Sequence, residues 1–294
     1  MAMQLRPLSV GELLDRTFSL YRNNFVLFVG IMAVPQLVSF AAGLAFAMFP
    51  RLAAASGTAN SSAVIAGVMV AVFGFMALSI VHFIVLGIAQ GATVYAVSQV
   101  YMDRITTMND AYRFMSKRFW PVLAVILLTA VALMLGFLVF FVGAIFAFLF
   151  FSLAVPVCVL EGRDPVESMR RSYNLVKEDL GKIFLVCLVF YLIQSAAAGI
   201  VAVPAFVLGV MYGPHGGPPI PLLILTQLGA FVVGSVATPL MTIGISLAYY
   251  DYRIRREALD LQMMMAALGP AATPASAAMP VSASAAGISA KPIE

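Results

Sequence analysis

The chain has 294 residues, of which 62% are hydrophobic and only 10% are charged, and its formal net charge is +4. Soluble globular chains carry about 25% charged residues, so this composition excludes a water-soluble globular domain. The positive charge does not indicate a nucleic-acid partner, because the basic residues lie beside apolar segments, where they orient membrane helices. The composition therefore predicts an all-α protein embedded in the lipid bilayer.

Six apolar segments are long enough to cross the hydrocarbon as helices, which takes about 20 residues each. They are Phe25–Met48, Val64–Val100, Pro121–Leu138, Phe140–Leu160, Lys182–Val210 and Leu222–Tyr250. Gly136 and Gly143 bracket the turn predicted between the third and fourth. The second segment is too long for a single crossing, so we expect it to protrude at its cytosolic end or to bend near Gly87 and Gly91.

Basic residues occupy every second connection between these segments. The N-terminal segment, the second and fourth connections and the C-terminal segment hold 16 of the 17 Lys and Arg residues, and Arg51 is the exception. Positively charged connections stay in the cytosol. The pattern therefore predicts a multi-pass protein with six transmembrane helices and both termini in the cytosol.

Three segments that lead into the first, third and fifth spans resemble one another. Each begins with a helix-capping residue and has an acid three positions later, as in a capping box. The pairs are Ser9 and Glu12, Thr107 and Asp110, and Asp164 and Glu167. Each returning span ends with an acid and an arginine, predicted at the cytosolic surface. The chain is thus predicted to contain three degenerate repeats of an interfacial helix followed by a helical hairpin.

The apolar residues of the third such segment share one helical face. They are Val166, Met169, Tyr173, Val176 and Leu180. An amphipathic pattern of this kind is typical of a helix that lies in the membrane interface, and the alternative is a plain extension of the next span. Residues 1–24 are thus predicted to form a cytosolic segment with such a helix, 25–262 the six-span membrane domain, and 263–294 a disordered tail rich in Ala, Pro and Ser.

Polar residues within the spans form two arcs. Those of the second span are Ser79, His82, Gln90 and Thr93, and those of the sixth are Gln227, Ser235, Thr238 and Thr242. The two arcs either line a polar cleft or hydrogen-bond neighbouring helices together. Pro35, Pro156, Pro204 and Pro239 are expected to kink the spans that contain them.

Basic residues beside the spans suit anionic lipid headgroups or a protein partner. The candidates are Arg113, Lys117, Arg118, Arg170, Arg171 and Lys177. No nucleophile has a convincing base beside it, and no set of residues has the spacing of a metal site. We therefore predict no catalytic residue, no metal and no cofactor. Cys158 and Cys187 are expected to be small buried hydrophobic residues.

Residues 5–22, 161–176 and 249–257 resemble a bacterial family, the membrane domain attached to some glycerophosphoryl diester phosphodiesterases and also found alone. The resemblance covers about residues 5–262. It implies a bacterial inner-membrane protein of about six spans and no established activity for the domain by itself. The attached enzyme is a soluble barrel that uses His and carboxylates with a divalent metal. This chain has no room for that barrel. The only histidines are His82 and His215, so the enzymatic activity is not expected here.

Two functional hypotheses follow from the sequence. The first is a non-catalytic membrane scaffold or interaction module, linked to lipid or envelope metabolism, that contacts lipids or a protein partner through its cytosolic helices. The alternative is a permease or lipid-handling protein whose cleft is lined by His82, Gln90, Gln227 and Thr238.

Overall fold

A computed structural model describes residues 8–55, 61–138, 140–212 and 218–257, which form ten helices and no strand. The helices are α1 (Val10–Asn23), α2 (Phe25–Ala55), α3 (Ser61–Tyr101), α4 (Met108–Lys117), α5 (Phe119–Leu138), α6 (Phe140–Phe151), α7 (Ala154–Glu161), α8 (Pro165–Val176), α9 (Leu180–Tyr212) and α10 (Ile220–Glu257). The predicted tail, 263–294, lies outside the described residues.

Six helical segments of the described chain are long and apolar enough to cross a membrane. They are Phe25–Met48, Gly67–Tyr101, Phe119–Leu138, Val142–Glu161, Leu180–Tyr212 and Ile220–Arg256. They match the predicted spans to within three residues at every end but the last, where α10 continues past Tyr250. The predicted fold class, an all-α polytopic membrane protein with six transmembrane helices, is confirmed.

Each short helix leads into a long outgoing helix: α1 into α2, α4 into α5 and α8 into α9. The returning helices are α3, then α6 with α7, and then α10. Helix α2 packs against α3 and α10, and α9 packs against α10. Helix α5 packs against α6, with which it forms a hairpin, and also contacts α3. Helices α6 and α9 touch only over a short stretch. The short helices pack on the ends of the returning helices, and we name this part of the bundle the α1/α4/α8 end.

Two of the three predicted capping boxes form. Ser9 and Thr107 each accept a hydrogen bond from the backbone N–H three residues on, and Glu12 and Asp110 accept from the capping residue's own N–H. The third box was predicted wrongly, because Asp164 makes no side-chain cap bond. Pro165 begins α8, where its missing N–H costs nothing, and the Glu167 carboxylate pairs with Arg163 instead.

Helix α8 packs on the bundle through two serines as well as through part of its predicted apolar face. Its buried residues are Ser168, Ser172, Leu175 and Val176. Of the predicted face, Val176 is buried and Met169 and Leu180 are partly buried against the core, whereas Val166 and Tyr173 are 69% and 43% exposed. Small serine side chains let α8 approach α6 and α7 closely. Val166 is thus exposed as the interfacial prediction requires, whereas the Tyr173 ring also packs on Phe150 of α6, with ring centroids 4.8 Å apart.

The fourth span is broken between α6 and α7, at Ser152 and Leu153. Pro156 explains the break, since it has no N–H to donate to the Ser152 carbonyl and its ring clashes with that carbonyl in a regular helix. The Ser172 hydroxyl of α8 fills the gap: it donates to the Phe150 carbonyl at 2.6 Å and accepts from the Leu153 N–H at 3.2 Å. Helix α8 thus stabilises a broken span inside the membrane domain.

Replacing Ser172 by Ala should lower the free energy of unfolding by about 1–3 kcal/mol, because a buried N–H and a partly buried carbonyl lose their partner. Ser116→Ala is the matched control, since that exposed hydroxyl bonds only to its own helix; its effect should stay within about 0.5 kcal/mol. Cys158 and Cys187 are both buried, so a thiol-reactive dye reports unfolding in detergent. Equal midpoints for the two variants would refute this role of Ser172.

Helix α3 runs unbroken through 41 residues, about 60 Å at 1.5 Å per residue. The helix is continuous at Gly87 and Gly91, where the alternative to protrusion was a bend. These glycines instead permit close packing, since a Cβ atom would lie 2.2 Å from Ile126 at Gly87 and 2.6 Å from Met115 at Gly91. A helix of this length exceeds the roughly 30 Å thickness of the hydrocarbon, and α3 packs against α4, α7 and α10.

The buried core is concentrated at the α1/α4/α8 end. Its largest fully buried side chains include Phe28, Met115, Phe190, Tyr249 and Tyr252. Two tyrosines reinforce this end: the Tyr21 hydroxyl donates to the Val236 carbonyl and the Tyr112 hydroxyl to the Ile31 carbonyl. Burial raises the pKa of Tyr21 and Tyr112 to about 12, so both remain protonated donors at neutral pH.

Candidate functional site

A cavity of about 370 Å³ lies between helices of the bundle and is bounded by α3, α5, α6, α7, α9 and α10. Most of its wall is apolar and includes the rings of Phe83, Phe148 and Phe151. Six uncharged polar residues also line it: Gln90, Thr129, Ser152, Gln194, Thr238 and Thr242. We call this space the first cavity. An apolar wall with a few convergent polar groups is typical of a small-molecule site.

Five of these polar residues have unused hydrogen-bonding capacity. Within the described chain, no side-chain hydrogen bond satisfies Gln90, Thr129, Gln194, Thr238 or Thr242. The Thr129 hydroxyl oxygen is fully buried as well. An unpaired buried polar group costs about 1–3 kcal/mol, and hydrocarbon offers no replacement partner. Gln90, Gln194, Thr238 and Thr242 can therefore bind water or a ligand in the first cavity, whereas the Thr129 oxygen has no accessible surface.

A second cavity of about 320 Å³ lies between α9 and α10. Gln194 and Thr238 line both cavities, so these two residues mark their junction. Elsewhere the second cavity is lined by small and aliphatic residues, with Thr226 and Gln227 as its further polar members. The two cavities together follow α10 from Thr226 to Ile245.

The predicted polar arcs divide between these cavities and the helix contacts. Gln90, Thr238 and Thr242 line the first cavity, and Gln227 lines the second. The remaining four are satisfied by backbone carbonyls: Ser79 by Phe75, Thr93 by Ala89, Ser235 by Phe231, and His82 by Pro35. The ring Nδ1 of His82 lies 3.1 Å from the Pro35 carbonyl oxygen and so links α3 to α2.

Thr129, Ser152 and Gln194 line the first cavity but were not predicted. Thr129 lies on α5, Gln194 on α9, and Ser152 in the break between α6 and α7, all distant from the two arcs along the sequence. Helix packing alone brings them together with Gln90 and Thr238. The one available signal was Gln194 itself, an amide in the middle of a long apolar span.

The acid at the end of α10 is buried and not at the surface, which corrects the prediction for Asp251. Its carboxylate accepts from the Leu8 N–H at 2.6 Å and from Lys182 Nζ at 2.5 Å, and Arg255 Nε lies 3.0 Å away. Lys182 and Arg255 also donate to the Leu8 carbonyl. This buried ion pair joins the residues before α1 to α9 and α10.

Glu161, at the end of α7, forms a second charged cluster at the α1/α4/α8 end. The carboxylate accepts from the Tyr249 hydroxyl at 2.9 Å and from Arg163 Nε at 2.6 Å. Arg171 Nε and Arg253 Nε lie 3.4 and 3.9 Å from it. The side chain of Glu161 is only 10% exposed, so this acid also departs from the predicted surface position. Asp103, its counterpart at the end of α3, is exposed.

The predicted contacts with anionic lipids or partners fall into two groups. Arg171 belongs to the Glu161 cluster, and Arg118 donates to the Cys158 carbonyl and lies over the Phe114 ring. The other four are exposed and have no ion-pair partner within the described chain: Arg113, Lys117, Arg170 and Lys177. Only these four are available to headgroups or to another protein.

Comparison of the chain with protein-family models, with curated proteins and with solved structures found no match. The resemblance to the phosphodiesterase-linked membrane domain therefore stays a prediction. The features of the described chain that bear on function are the two cavities and the exposed charges at the α1/α4/α8 end.

Proposed function

We propose that this protein binds a membrane-soluble molecule in the first cavity, as a permease or a lipid-handling protein does, without catalysing a reaction. The observation that carries this proposal is the set of unpartnered polar side chains around one cavity inside the membrane domain. A volume of about 370 Å³ lies in the roughly 300–1,000 Å³ range of small-molecule sites.

The broken span gives the proposal further support. Non-helical backbone at membrane depth is tolerated where it is buried in protein or lines a cavity. Ser152, Val155 and Pro156, at and beside the break, line the first cavity. A broken helix beside an interhelical site is also a recurring feature of transporters.

We further propose that the membrane is the bacterial inner membrane and that the α1/α4/α8 end faces the cytosol. The sequence resemblance favours the bacterial origin. The exposed basic residues at this end, Arg113, Lys117, Arg170 and Lys177 among them, favour the orientation, because Lys and Arg beside the spans are retained on the cytosolic side.

Filling the first cavity tests the binding proposal. Cells are fed a diazirine-bearing fatty acid, which they build into their lipids, and the crosslinked peptides are mapped by mass spectrometry after irradiation. We expect crosslinks on the residues of α3 and α10 that line the first cavity, and Ala130→Trp should abolish them, because residue 130 lies in the cavity wall. Ala77→Trp is the matched control on an exposed part of α3. No crosslink in the cavity, or equal crosslinking of Ala130→Trp, would contradict the proposal.

A second candidate function, a scaffold that holds anionic lipid or a protein partner, is favoured by the exposed charges of Arg170 and Lys177. Reversing both to Glu should remove the lipid or protein that co-purifies with the wild-type chain. Arg171 is excluded from this test, since it pairs with Glu161 and its reversal would disturb the fold. An unchanged set of co-purifying lipids and proteins would reject the scaffold.

A further inference from the structure

We propose that the ligand of the first cavity is an uncharged amphiphile, an aliphatic molecule whose head is a hydroxyl, an amide or an ester without formal charge. This inference rests on the proposed function, because it specifies which membrane-soluble molecule the first cavity takes.

The absence of charge from the walls selects against a charged head. Neither cavity is lined by a described Asp, Glu, Lys, Arg or His. An ionised group in the middle of a membrane domain is costly unless a partner neutralises it. A phosphate or carboxylate drawn into the first cavity would find no cation among its walls, whereas a neutral head loses only hydrogen bonds to water.

The unpartnered side chains supply the hydrogen bonds that a neutral head needs. The amides of Gln90 and Gln194 both donate and accept, and the hydroxyls of Thr238 and Thr242 do the same. A hydroxyl or amide head likewise donates and accepts. Binding such a head would satisfy polar groups that the protein itself leaves unpaired, and this gain is unavailable to a purely aliphatic molecule.

The second cavity provides the space for the aliphatic part. Thr226 of α10 lines the far end of the second cavity, and Ile245 of the same helix lines the first cavity. The two residues are 19 positions apart. That separation corresponds to about 28 Å along the helix, close to the roughly 30 Å thickness of the hydrocarbon. A head held beside Gln194 and Thr238, at the junction, can extend its chain along the small residues of α9 and α10.

The side facing α6 and α9 is the route of entry that the packing favours. Gln194 is the only described α9 residue that lines the first cavity, and α6 and α9 touch only over a short stretch. An amphiphile dissolved in the bilayer can therefore reach the polar residues without crossing the densely packed α1/α4/α8 end.

Two photoreactive lipids that differ by one phosphate test the inference. The purified protein in nanodiscs is irradiated with a diacylglycerol or with the phosphatidic acid that has the same diazirine-bearing chains. We expect diacylglycerol to label the cavity residues of α3 and α10 at least roughly tenfold more strongly, given the cost of a buried charge. Gln194→Leu and the isosteric Thr242→Val should each reduce that labelling severalfold. Ser79→Ala should not, since Ser79 bonds its own helix outside both cavities.

The outcomes separate this inference from the proposed function. Equal or stronger labelling by phosphatidic acid would overturn the preference for an uncharged head and leave binding in the cavity intact. If the extent of diacylglycerol labelling is the same in Gln194→Leu, in Thr242→Val and in the wild type, the inference is also overturned, because the polar residues would then not bind the head. If neither lipid labels the cavity residues, the inference and the proposed function both fail.

Discussion

Replacing Asp251 by Ala should lower the free energy of unfolding by about 3–5 kcal/mol, the range found when one partner of a buried ion pair is removed. The carboxylate is fully buried, and Lys182 is 7% exposed and lies 2.5 Å from it. The substitution leaves the Lys182 ammonium without its counter-charge and the Leu8 N–H without its acceptor. Thermal and denaturant unfolding in detergent, followed by dye reaction with Cys158 and Cys187, measures the loss.

The exposed pair between Arg256 and Glu178 is the matched control for Asp251. The side chain of Glu178 is 67% exposed, and pairs of that kind contribute about 0–1 kcal/mol. Glu178→Ala should therefore leave the midpoint nearly unchanged. The double variant Asp251→Leu with Lys182→Met should recover much of the loss, because a buried pair replaced by apolar side chains is often neutral. If Asp251→Ala costs no more than Glu178→Ala, the buried pair does not fasten α9 and α10 to the residues before α1.

Substituting Gly136 by Val should open the hairpin of α5 and α6 and destabilise the protein by about 1–3 kcal/mol or more. A Cβ atom at Gly136 would lie 2.7 Å from the Gly143 carbonyl oxygen, and one at Gly143 would lie 2.5 Å from the Gly136 carbonyl oxygen. Both obstacles are backbone atoms, which cannot rotate away as a side chain can. The two helices must therefore separate, which would also widen the first cavity near Leu133 and Phe148.

Gly74→Val provides the comparison for Gly136→Val within a membrane helix. Nothing lies within 4 Å of the Cβ position at Gly74, so this change adds a side chain without a clash. The same unfolding measurement should find Gly74→Val close to wild type and Gly136→Val clearly destabilised. A similar midpoint for both variants would mean that α5 and α6 do not approach each other as closely as the structure has them.

The uneven packing of the bundle relates to the proposed function. Ion pairs, stacked rings and large buried side chains hold the α1/α4/α8 end together, including the Asp251 and Glu161 clusters and the stacked pair Tyr101 and Tyr250. The contact between α6 and α9 is short by comparison. Local opening concentrates where buried contacts are few. We therefore expect ligand entry to involve α6 and α9, while the α1/α4/α8 end stays fixed.

The spans and the first two capping boxes could be predicted because their signals are local. Long apolar runs require helices in a bilayer, and Ser9 with Glu12 lies within one helical turn. The third box fails although its signal is equally local, because Glu167 pairs with Arg163, four residues earlier, and Asp164 makes no cap bond. The sequence also marked Pro156 as disruptive. It did not mark Ser172, which lies 22 residues after Phe150 and hydrogen-bonds the backbone at the break.

The candidate site was predictable only where one helix carried several of its members. Gln90, Thr238 and Thr242 belong to arcs on α3 and α10, so periodicity found them. Thr129 and Gln194 stand on other helices and meet them only through packing. Asp251 was assigned to the surface because acids near span ends usually face water; a lysine 69 residues earlier in the chain explains its burial.

Labelling of single cysteines from the two sides of the membrane tests the central claim, a six-span bundle whose α1/α4/α8 end faces the cytosol. Cys158 and Cys187 are buried, so they contribute little background. Lys117→Cys and Lys177→Cys should react with an impermeant maleimide only after the cells are permeabilised. Pro219→Cys, an exposed position before α10, should react in intact spheroplasts. Reaction of positions 117 and 177 from different sides, or of position 219 from the same side as both, would contradict the bundle described here.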